Sequence, residues 1–175
     1  ELQDFSQFKG SEWQEEWLQR LVKNAAGHRI LVQFKPLSQT RSGFATLSRP
    51  KDWKMRIAIH DQLDGPSRFG VLCHELAHIL LGHLGTDWDH WWPGRSNLGR
   101  AVVEIEAEAV AFIVSARFGL EGSSAAYVSR HLSGQQLPPG VSIDQIAKVA
   151  GHIERMARET MQPRRPRPPP KKKSA

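Results

Sequence analysis

One segment constrains the fold more than any other: VLCHELAHILLGH, residues 71–83, carries two histidines four residues apart among apolar side chains. An α-helix turns once in about 3.6 residues, so His74 and His78 lie on one face, one turn apart, where both imidazoles can bind one ion. The apolar neighbours predict that this helix is buried. Burying Glu75 and two histidines is costly unless each is paired, and a metal ion would provide that pairing.

The pattern His-Glu-x-x-His is typical of zinc hydrolases, in which the two histidines bind the ion and the glutamate acts as general base on the zinc-bound water. The sequence therefore predicts one Zn²⁺ per chain, with His74 and His78 as ligands and Glu75 as the catalytic base. Hydrogen-bonded core histidines without a metal are the alternative. His83 follows His78 by five residues, about 140° around a helix, so we expect it near the helix end or the cleft edge and not on the metal.

The third protein ligand is expected from the segment VVEIEAEAVAFIV, residues 102–114, in which carboxylates interrupt an otherwise apolar helix. Glu104 and Glu108 share one face, whereas Glu106 points about 200° away from Glu104 and is expected in solvent. We expect Glu104 to bind zinc and Glu108 to accept the remaining N–H of a ligand histidine. The reverse assignment of these two carboxylates stays open, and so does an acidic face exposed to solvent.

The remaining segments predict helices and short strands in an order typical of an α+β fold. Segment 11–27 is expected to form a helix that Ser11 caps and Gly27 ends. Three short antiparallel strands are expected next, in RILVQFKPL, GFATL and MRIAIHD, and the last of these is either a core strand or one that aligns substrate. Further helices are expected at 65–83, 98–119, 123–134 and 142–161, with a tryptophan-containing loop at 85–97.

The charge distribution divides the chain into a balanced body and a basic tail. Six of the 24 basic residues lie within 163–175, which has no acidic residue, so residues 1–162 hold 18 basic and 18 acidic side chains. The prolines of the tail favour extended, solvated chain. We therefore expect a zinc metallopeptidase domain over 1–162 and a disordered basic tail over 163–175 that can be removed without loss of fold. Contact with nucleic acid is expected only through this tail or through a further domain.

Cysteine content and hydropathy bear on the compartment. A single cysteine cannot form an internal disulfide, and Cys73 lies in the apolar histidine segment, where a small buried side chain is expected. The prediction is a cytoplasmic protein. No run of residues approaches the roughly 18 apolar positions that a membrane span requires, so no membrane partner is expected.

Together, the two motifs resemble those of the ImmA/IrrE family of zinc metallopeptidases and of the related peptidase-like domain of ArdC-type antirestriction proteins. The family joins His-Glu-x-x-His to a downstream Glu-x-Glu-Ala-Asn/Asp. Here HELAH is followed about thirty residues later by EIEAEAVAF, in which Glu108 replaces the Asn or Asp. The resemblance implies a zincin-like α+β fold, with a small antiparallel sheet packed on helices and the HExxH helix followed by the Glu-bearing helix. It also implies zinc, peptide-bond hydrolysis and a cytoplasmic protein that acts on protein substrates such as transcriptional regulators.

Three functions are open to such a chain. The first is an active zinc metallopeptidase, for which Tyr127 is a candidate stabiliser of the oxyanion. The second is a peptidase-like antirestriction or single-strand DNA-binding module of a mobile element, and the balanced charge of the body argues against it. The third is a zinc-stabilised domain without catalysis, and the presence of Glu75 argues against that.

Overall fold

The computed structural model describes residues 7–122 and 136–171, which form two small sheets and four helices. In chain order the elements are β1 (Phe8–Lys9), α1 (Glu15–Gly27), β2 (Ile30–Lys35), β3 (Gly43–Leu47), β4 (Met55–His60), α2 (Gly65–Leu80), α3 (Arg100–Arg117), β5 (Glu121–Gly122) and α4 (Ile143–Arg158). The predicted α+β class is confirmed. The helix predicted at 123–134 lies outside the described residues.

The larger sheet has three strands in the order β2, β4, β3. β3 and β4 pair antiparallel, as predicted, with Ala45 opposite Ile57. β2 and β4 pair parallel, with Val32 opposite Ile57, so the sheet is mixed and not wholly antiparallel. The reason is that the β3–β4 hairpin brings β4 back between its neighbours, which leaves β2 beside a strand that runs in its own direction.

α1 and α2 pack against this sheet, and α3 and α4 pack against those two helices. α2 lies at the centre, with Phe69, Leu72 and Leu76 fully buried. Edge-to-face aromatic contacts join Phe69 to Trp13 before α1 and to Phe118 after α3, so α2 is held by several layers at once. None of the helices in the described part of the chain combines the length and the apolar character that a bilayer crossing requires.

The ends of α1 differ from the sequence prediction. Gln14, and not Ser11, occupies the N-cap position, because the preceding residues pair β1 with β5 and then turn before the chain enters the helix. Gly27 is the last helical residue, and left-handed backbone falls on Arg29, with a φ of 54°. Ser142 caps α4, since its side chain accepts a main-chain N–H of the first turn.

The first residues of the basic tail contact the body. The N–H of Arg164 donates to a main-chain carbonyl at the end of α1 at 2.9 Å, and its guanidinium donates to the carbonyl of Trp91 at 2.6 Å. The N–H of Arg167 donates to the Asp89 carboxylate. The expectation of disorder from the start of the tail therefore does not hold for residues 163–167, because these hydrogen bonds place them against the loop between α2 and α3.

Two truncations should separate the docked part of the tail from the rest. Removing 163–175 deletes the three hydrogen bonds to the body named above, each worth about 0.5–1.5 kcal/mol, so the free energy of unfolding should fall by about 1.5–4.5 kcal/mol. Removing only 168–175 should leave it unchanged. Urea and thermal unfolding of the full chain and both truncations measure the difference. Equal stability of all three chains would show that the tail contacts contribute nothing.

A buried histidine pair joins the end of α1 to α4. His28 Nδ1 lies 2.9 Å from the carbonyl of Asn24 and therefore carries a proton, which leaves His28 Nε2 to accept from His152 Nε2–H at 2.9 Å. Burial lowers the pKa of His28. Burial, followed by the nearby charges of His28 and Arg164, lowers the pKa of His152 to about 4. Both imidazoles are therefore neutral in the folded protein near neutral pH.

These lowered pKa values predict that acid destabilises the fold. An unfolded histidine takes up a proton as the pH falls below about 6.5, whereas folded His152 does so only near pH 4, so stability is lost progressively between these two pH values. His152→Gln should flatten this part of the stability–pH profile. Urea unfolding from about pH 5 to about pH 8 measures it, with His90→Gln in an exposed loop as the control. An unchanged slope in His152→Gln would contradict the role of the pair.

Candidate functional site

α2 presents three ionisable side chains from a buried helix. The helix starts after Asp64, whose carboxylate accepts the N–H of Ser67 at 2.9 Å, and proline occupies its first turn. His74, Glu75 and His78 lie in its second half, and Glu75 is only 8% exposed. The four-residue spacing brings the two imidazoles together, with His74 Nε2 and His78 Nε2 3.1 Å apart.

Glu104 of α3 completes a group of three donor atoms. Its carboxylate oxygens lie 3.6 Å from His74 Nε2 and 3.7 Å from His78 Nε2, and one donor atom from each of the three residues falls within 4.8 Å of the others. Tetrahedral zinc with bonds of about 2.0–2.1 Å holds its ligand atoms roughly 3.4 Å apart, and two imidazoles with one carboxylate form a common donor set for it. The residues present therefore fit a zinc ion, and the structure brings together the three ligands that the sequence predicts.

Glu108 lies behind the first histidine. Its Oε1 is 3.1 Å from His74 Nδ1, a distance suited to a hydrogen bond, although its direction departs from the ideal one. Burial favours a neutral His74, but the Glu108 hydrogen bond and the charges of Glu75, Glu108 and Glu104 outweigh it and raise the pKa of His74 to about 9. Three carboxylates around one histidine make a strongly anionic group, which a divalent cation would neutralise.

A cleft of about 650 Å³ lies in front of these side chains, with β3 and the first turns of α3 among its walls. The close approach of β3 to α2 requires Gly43, where an added Cβ would lie 2.8 Å from Val71. The Glu75 carboxylate accepts the N–H of Ala45 in the same strand. Burial raises the pKa of Glu75 to about 7, and the charge of His74 and the Ala45 hydrogen bond oppose this only in part.

Among the strands of the described residues, the one with a free edge at this cleft is β3 and not β4. β4 lies between β2 and β3, which use its main-chain groups on both sides, so MRIAIHD is a core strand and cannot align substrate by strand addition. The carbonyl of Ser42 accepts the N–H of His60 in β4. Because antiparallel pairing alternates along a strand, Gly43 and Ala45 turn their main-chain groups away from β4 and towards the free edge.

His83 lies beyond the end of α2. It contacts Nδ1 of His78, the imidazole nitrogen of His78 that does not face Glu104. His83 Nδ1 is 2.9 Å from His78 Nδ1, and His83 Nε2 is 2.7 Å from Glu106 Oε2. Burial, followed by the charges of His74 and His83, lowers the pKa of His78 to about 3. His78 is therefore neutral, and one of its nitrogens remains available to a metal ion.

Glu106 is fully buried, which corrects the expectation that it points into solvent. Arg95 donates to both of its oxygens, at 2.9 and 2.7 Å, and the N–H of Ser142 before α4 donates to Oε1 at 2.8 Å. Burial alone would raise the pKa of Glu106, but the hydrogen bonds from Arg95, His83 and Ser142 lower it. The face of α3 opposite Glu104 is therefore covered by the loop after α2 and by the start of α4.

Sequence reasoning missed this network, although α3 offered one signal. Apolar residues surround Glu106 on several faces of the helix, and a wide apolar band indicates that a second layer covers it. Nothing in the local spacing indicates that Arg95 and His83 are the partners. They depend on a tight turn at Gly82, which has a φ of +80° and where an added Cβ would lie 1.9 Å from the carbonyl oxygen of Pro93.

The other residues that the sequence singles out contribute less to the described cleft. Tyr127 lies outside the described residues, and its role at an oxyanion stays a prediction. The tryptophans of loop 85–97 are not among the described residues that line the cleft, and Trp92 is buried with its indole N–H bonded to a carbonyl of its own loop. Cys73 is buried, and burial raises the pKa of its thiol, as suits a small apolar side chain.

Comparison with known proteins places these elements in a family. A family model described as the IrrE N-terminal-like domain, of the M78 peptidases, matches residues 25–121, more than half of the chain. The matched range contains all of α2 and α3 and therefore the three donor residues and Glu75. No curated protein and no solved structure matches the chain. The resemblance to the ImmA/IrrE family is confirmed, and the chain belongs to the IrrE N-terminal-like family of peptidases.

Proposed function

We propose that the protein is a zinc-dependent peptidase in which His74, His78 and Glu104 hold one zinc ion and Glu75 is the general base. The observation that carries the proposal is the convergence of three donor atoms within 4.8 Å at a cleft that Glu75 also lines. A zinc ion at this position supplies a Lewis acid that activates water and polarises a carbonyl group. The remaining steps depend on how the chain's own residues are placed.

Glu75 is placed to move a proton. It does not belong to the group of donor atoms found among the described residues, and the N–H of Ala45 orients its carboxylate. Once ionised, this carboxylate can take a proton from a water molecule in the cleft and return it to the amine that leaves when the peptide bond breaks. Its burial limits the number of bulk water molecules that compete for the same oxygens.

Glu108 supports the first histidine. By accepting from His74 Nδ1, it favours the tautomer in which His74 Nε2 is unprotonated and directed at the shared position. A carboxylate behind a ligand histidine also raises the basicity of the ligating nitrogen. Glu104 and Glu108, one turn apart on α3, therefore serve the same ion in different ways.

The substrate we propose is an extended segment of a protein that lies along β3. A free strand edge offers main-chain donors and acceptors in register with an extended peptide. Gly43 and the carbonyl of Ala45 present such groups on the cleft wall, whereas the N–H of Ala45 is bonded to Glu75. The resemblance to the ImmA/IrrE family favours a cytoplasmic protein such as a transcriptional regulator as the substrate. The single cysteine of the chain, buried at Cys73, is consistent with that compartment.

Substitutions of the two carboxylates of α3 should affect zinc differently. Glu104→Gln should lower the zinc content and the melting temperature of the loaded protein, because it removes a ligand charge. Glu108→Gln should cost roughly 10–100-fold in zinc affinity, because it only loosens His74. Elemental analysis and chelator competition measure both effects, with His74→Ala as the reference for complete loss. Loss of zinc in Glu108→Gln with retention in Glu104→Gln would reverse the two roles.

Glu75→Gln should separate zinc binding from turnover. The amide keeps the shape of the side chain but cannot accept a proton, so peptide cleavage should fall by at least about 10²–10⁴-fold, while zinc content and melting temperature stay near the wild-type values. Cleavage of a fluorogenic peptide library and elemental analysis measure this, with Glu12→Gln at an exposed turn as the control. Wild-type cleavage by Glu75→Gln would leave a zinc domain without the proposed mechanism.

A further inference from the structure

A chain of hydrogen bonds leads from the proposed metal group into the interior of the fold. It runs from His78 through His83 and Glu106 to Arg95 and to the main chain of Ser142. The side chains of His83 and Glu106 are 3% and 0% exposed. The proposed reaction does not use these inner residues.

With both imidazoles neutral, the protons of this hydrogen-bond chain have one consistent arrangement. Glu106 accepts from Arg95 and Ser142, and as a carboxylate it also accepts from His83 Nε2–H. A neutral His83 then has an unprotonated Nδ1, which accepts from His78 Nδ1–H across 2.9 Å. His78 therefore carries its proton on Nδ1 and leaves Nε2 bare on the side of Glu104, 3.7 Å away.

We propose that His83 is a positioning residue for the metal centre. Held by Glu106, it keeps His78 in the tautomer and orientation in which Nε2 faces the ion. The inference rests on the proposed zinc site and gives the second ligand histidine a support, as Glu108 does for His74. The carboxylates behind the two ligand histidines differ in burial: the side chain of Glu108 is 16% exposed, whereas that of Glu106, which holds His83, is fully buried.

The hydrogen-bond donors around Glu106 indicate that His83 is needed more to orient His78 than to pair with the Glu106 carboxylate. Arg95 reaches both oxygens of Glu106, and Ser142 adds a third donor, so this charge is already compensated without an imidazole. For His78 Nδ1, the hydrogen bond among the described residues is the one to His83. Removing the imidazole therefore takes away the hydrogen bond that orients His78, whereas the charge of Glu106 stays compensated by its other donors.

Because Glu106 also binds the N–H of Ser142, the same carboxylate connects His78 to the start of α4. Zinc binding and the docking of α4 should consequently stabilise each other, since both require this chain of contacts in one arrangement. Residues far from the cleft in sequence thus contribute to the geometry of a ligand on α2.

Two polar substitutions each keep one of the two contacts of His83 and remove the other. His83→Gln places its amide near the level of Nε2, so it can reach Glu106 but offers no acceptor at the level of Nδ1. His83→Asn places an oxygen near the level of Nδ1, so it can accept from His78 but does not reach Glu106. We expect His83→Gln to weaken zinc affinity about 10–100-fold with a near wild-type melting temperature in the metal-free form. His83→Asn should keep the zinc affinity closer to wild type, and its metal-free melting temperature should fall only slightly, because Arg95 and Ser142 still donate to Glu106.

Chelator competition and thermal unfolding of the full chain, with and without zinc, measure these effects. His152→Gln is the matched control, because it breaks a different buried histidine pair and should change the melting temperature but not the zinc affinity. Wild-type zinc affinity in both His83 variants would overturn the positioning role and leave only a packing role. A wild-type chain that binds no zinc would instead overturn the proposed function, and this inference with it.

A measurement on the wild-type protein decides the question even if the variants do not fold. Multiple-bond ¹H–¹⁵N spectra of the zinc-loaded chain report which nitrogen of each histidine carries the proton. We expect the Nδ1–H tautomer for His78 and the Nε2–H tautomer for His83. A proton on His83 Nδ1, or an unprotonated His78 Nδ1, would overturn the inference.

Discussion

The contact between α2 and α3 buries imidazoles and carboxylates together, and the need to pair each of them shapes the rest of the fold. Towards the cleft, His74, His78 and Glu104 meet in a group that a cation would complete. Towards the interior, Glu106 is paired with Arg95 and with the main chain before α4. A buried charge without a partner costs several kcal/mol, so the loop after α2 and the start of α4 must lie where they supply these donors.

α3 separates the side of the site where we propose that reaction occurs from the side that supports it. Glu104 is 37% exposed and can exchange water for an ion, whereas Glu106 is closed to solvent. β3 contributes the opposite wall of the cleft and reaches Glu75 with the Ala45 N–H. The resulting site is open towards the cleft, where we propose that a peptide enters, and hydrogen-bonded on the inner side of the proposed metal ligands, and precise placement of a reacting group depends on such support.

Residues of the cleft could be predicted from sequence because their relationships are local. The i,i+4 spacing places His74 beside His78, and Glu104 one turn from Glu108, in any straight helix. The order of helices and strands was sufficient for the α+β class. The same local geometry gave a wrong prediction for Glu106. A residue about 200° around the helix from one buried face is exposed to solvent only if no second layer of the fold covers that side of the helix.

What the sequence by itself determined is therefore the chemistry available on each helix, because periodicity and capping depend on residues within a few positions of one another. Only the tertiary structure decided which strand has a free edge, which residues pair with Glu106, and that residues 163–167 dock on the body. These outcomes depend on contacts between segments distant in the chain. Hydrogen bonds from main-chain groups, such as the N–H of Arg167, and the path of a loop through Gly82 leave no signature in composition or spacing.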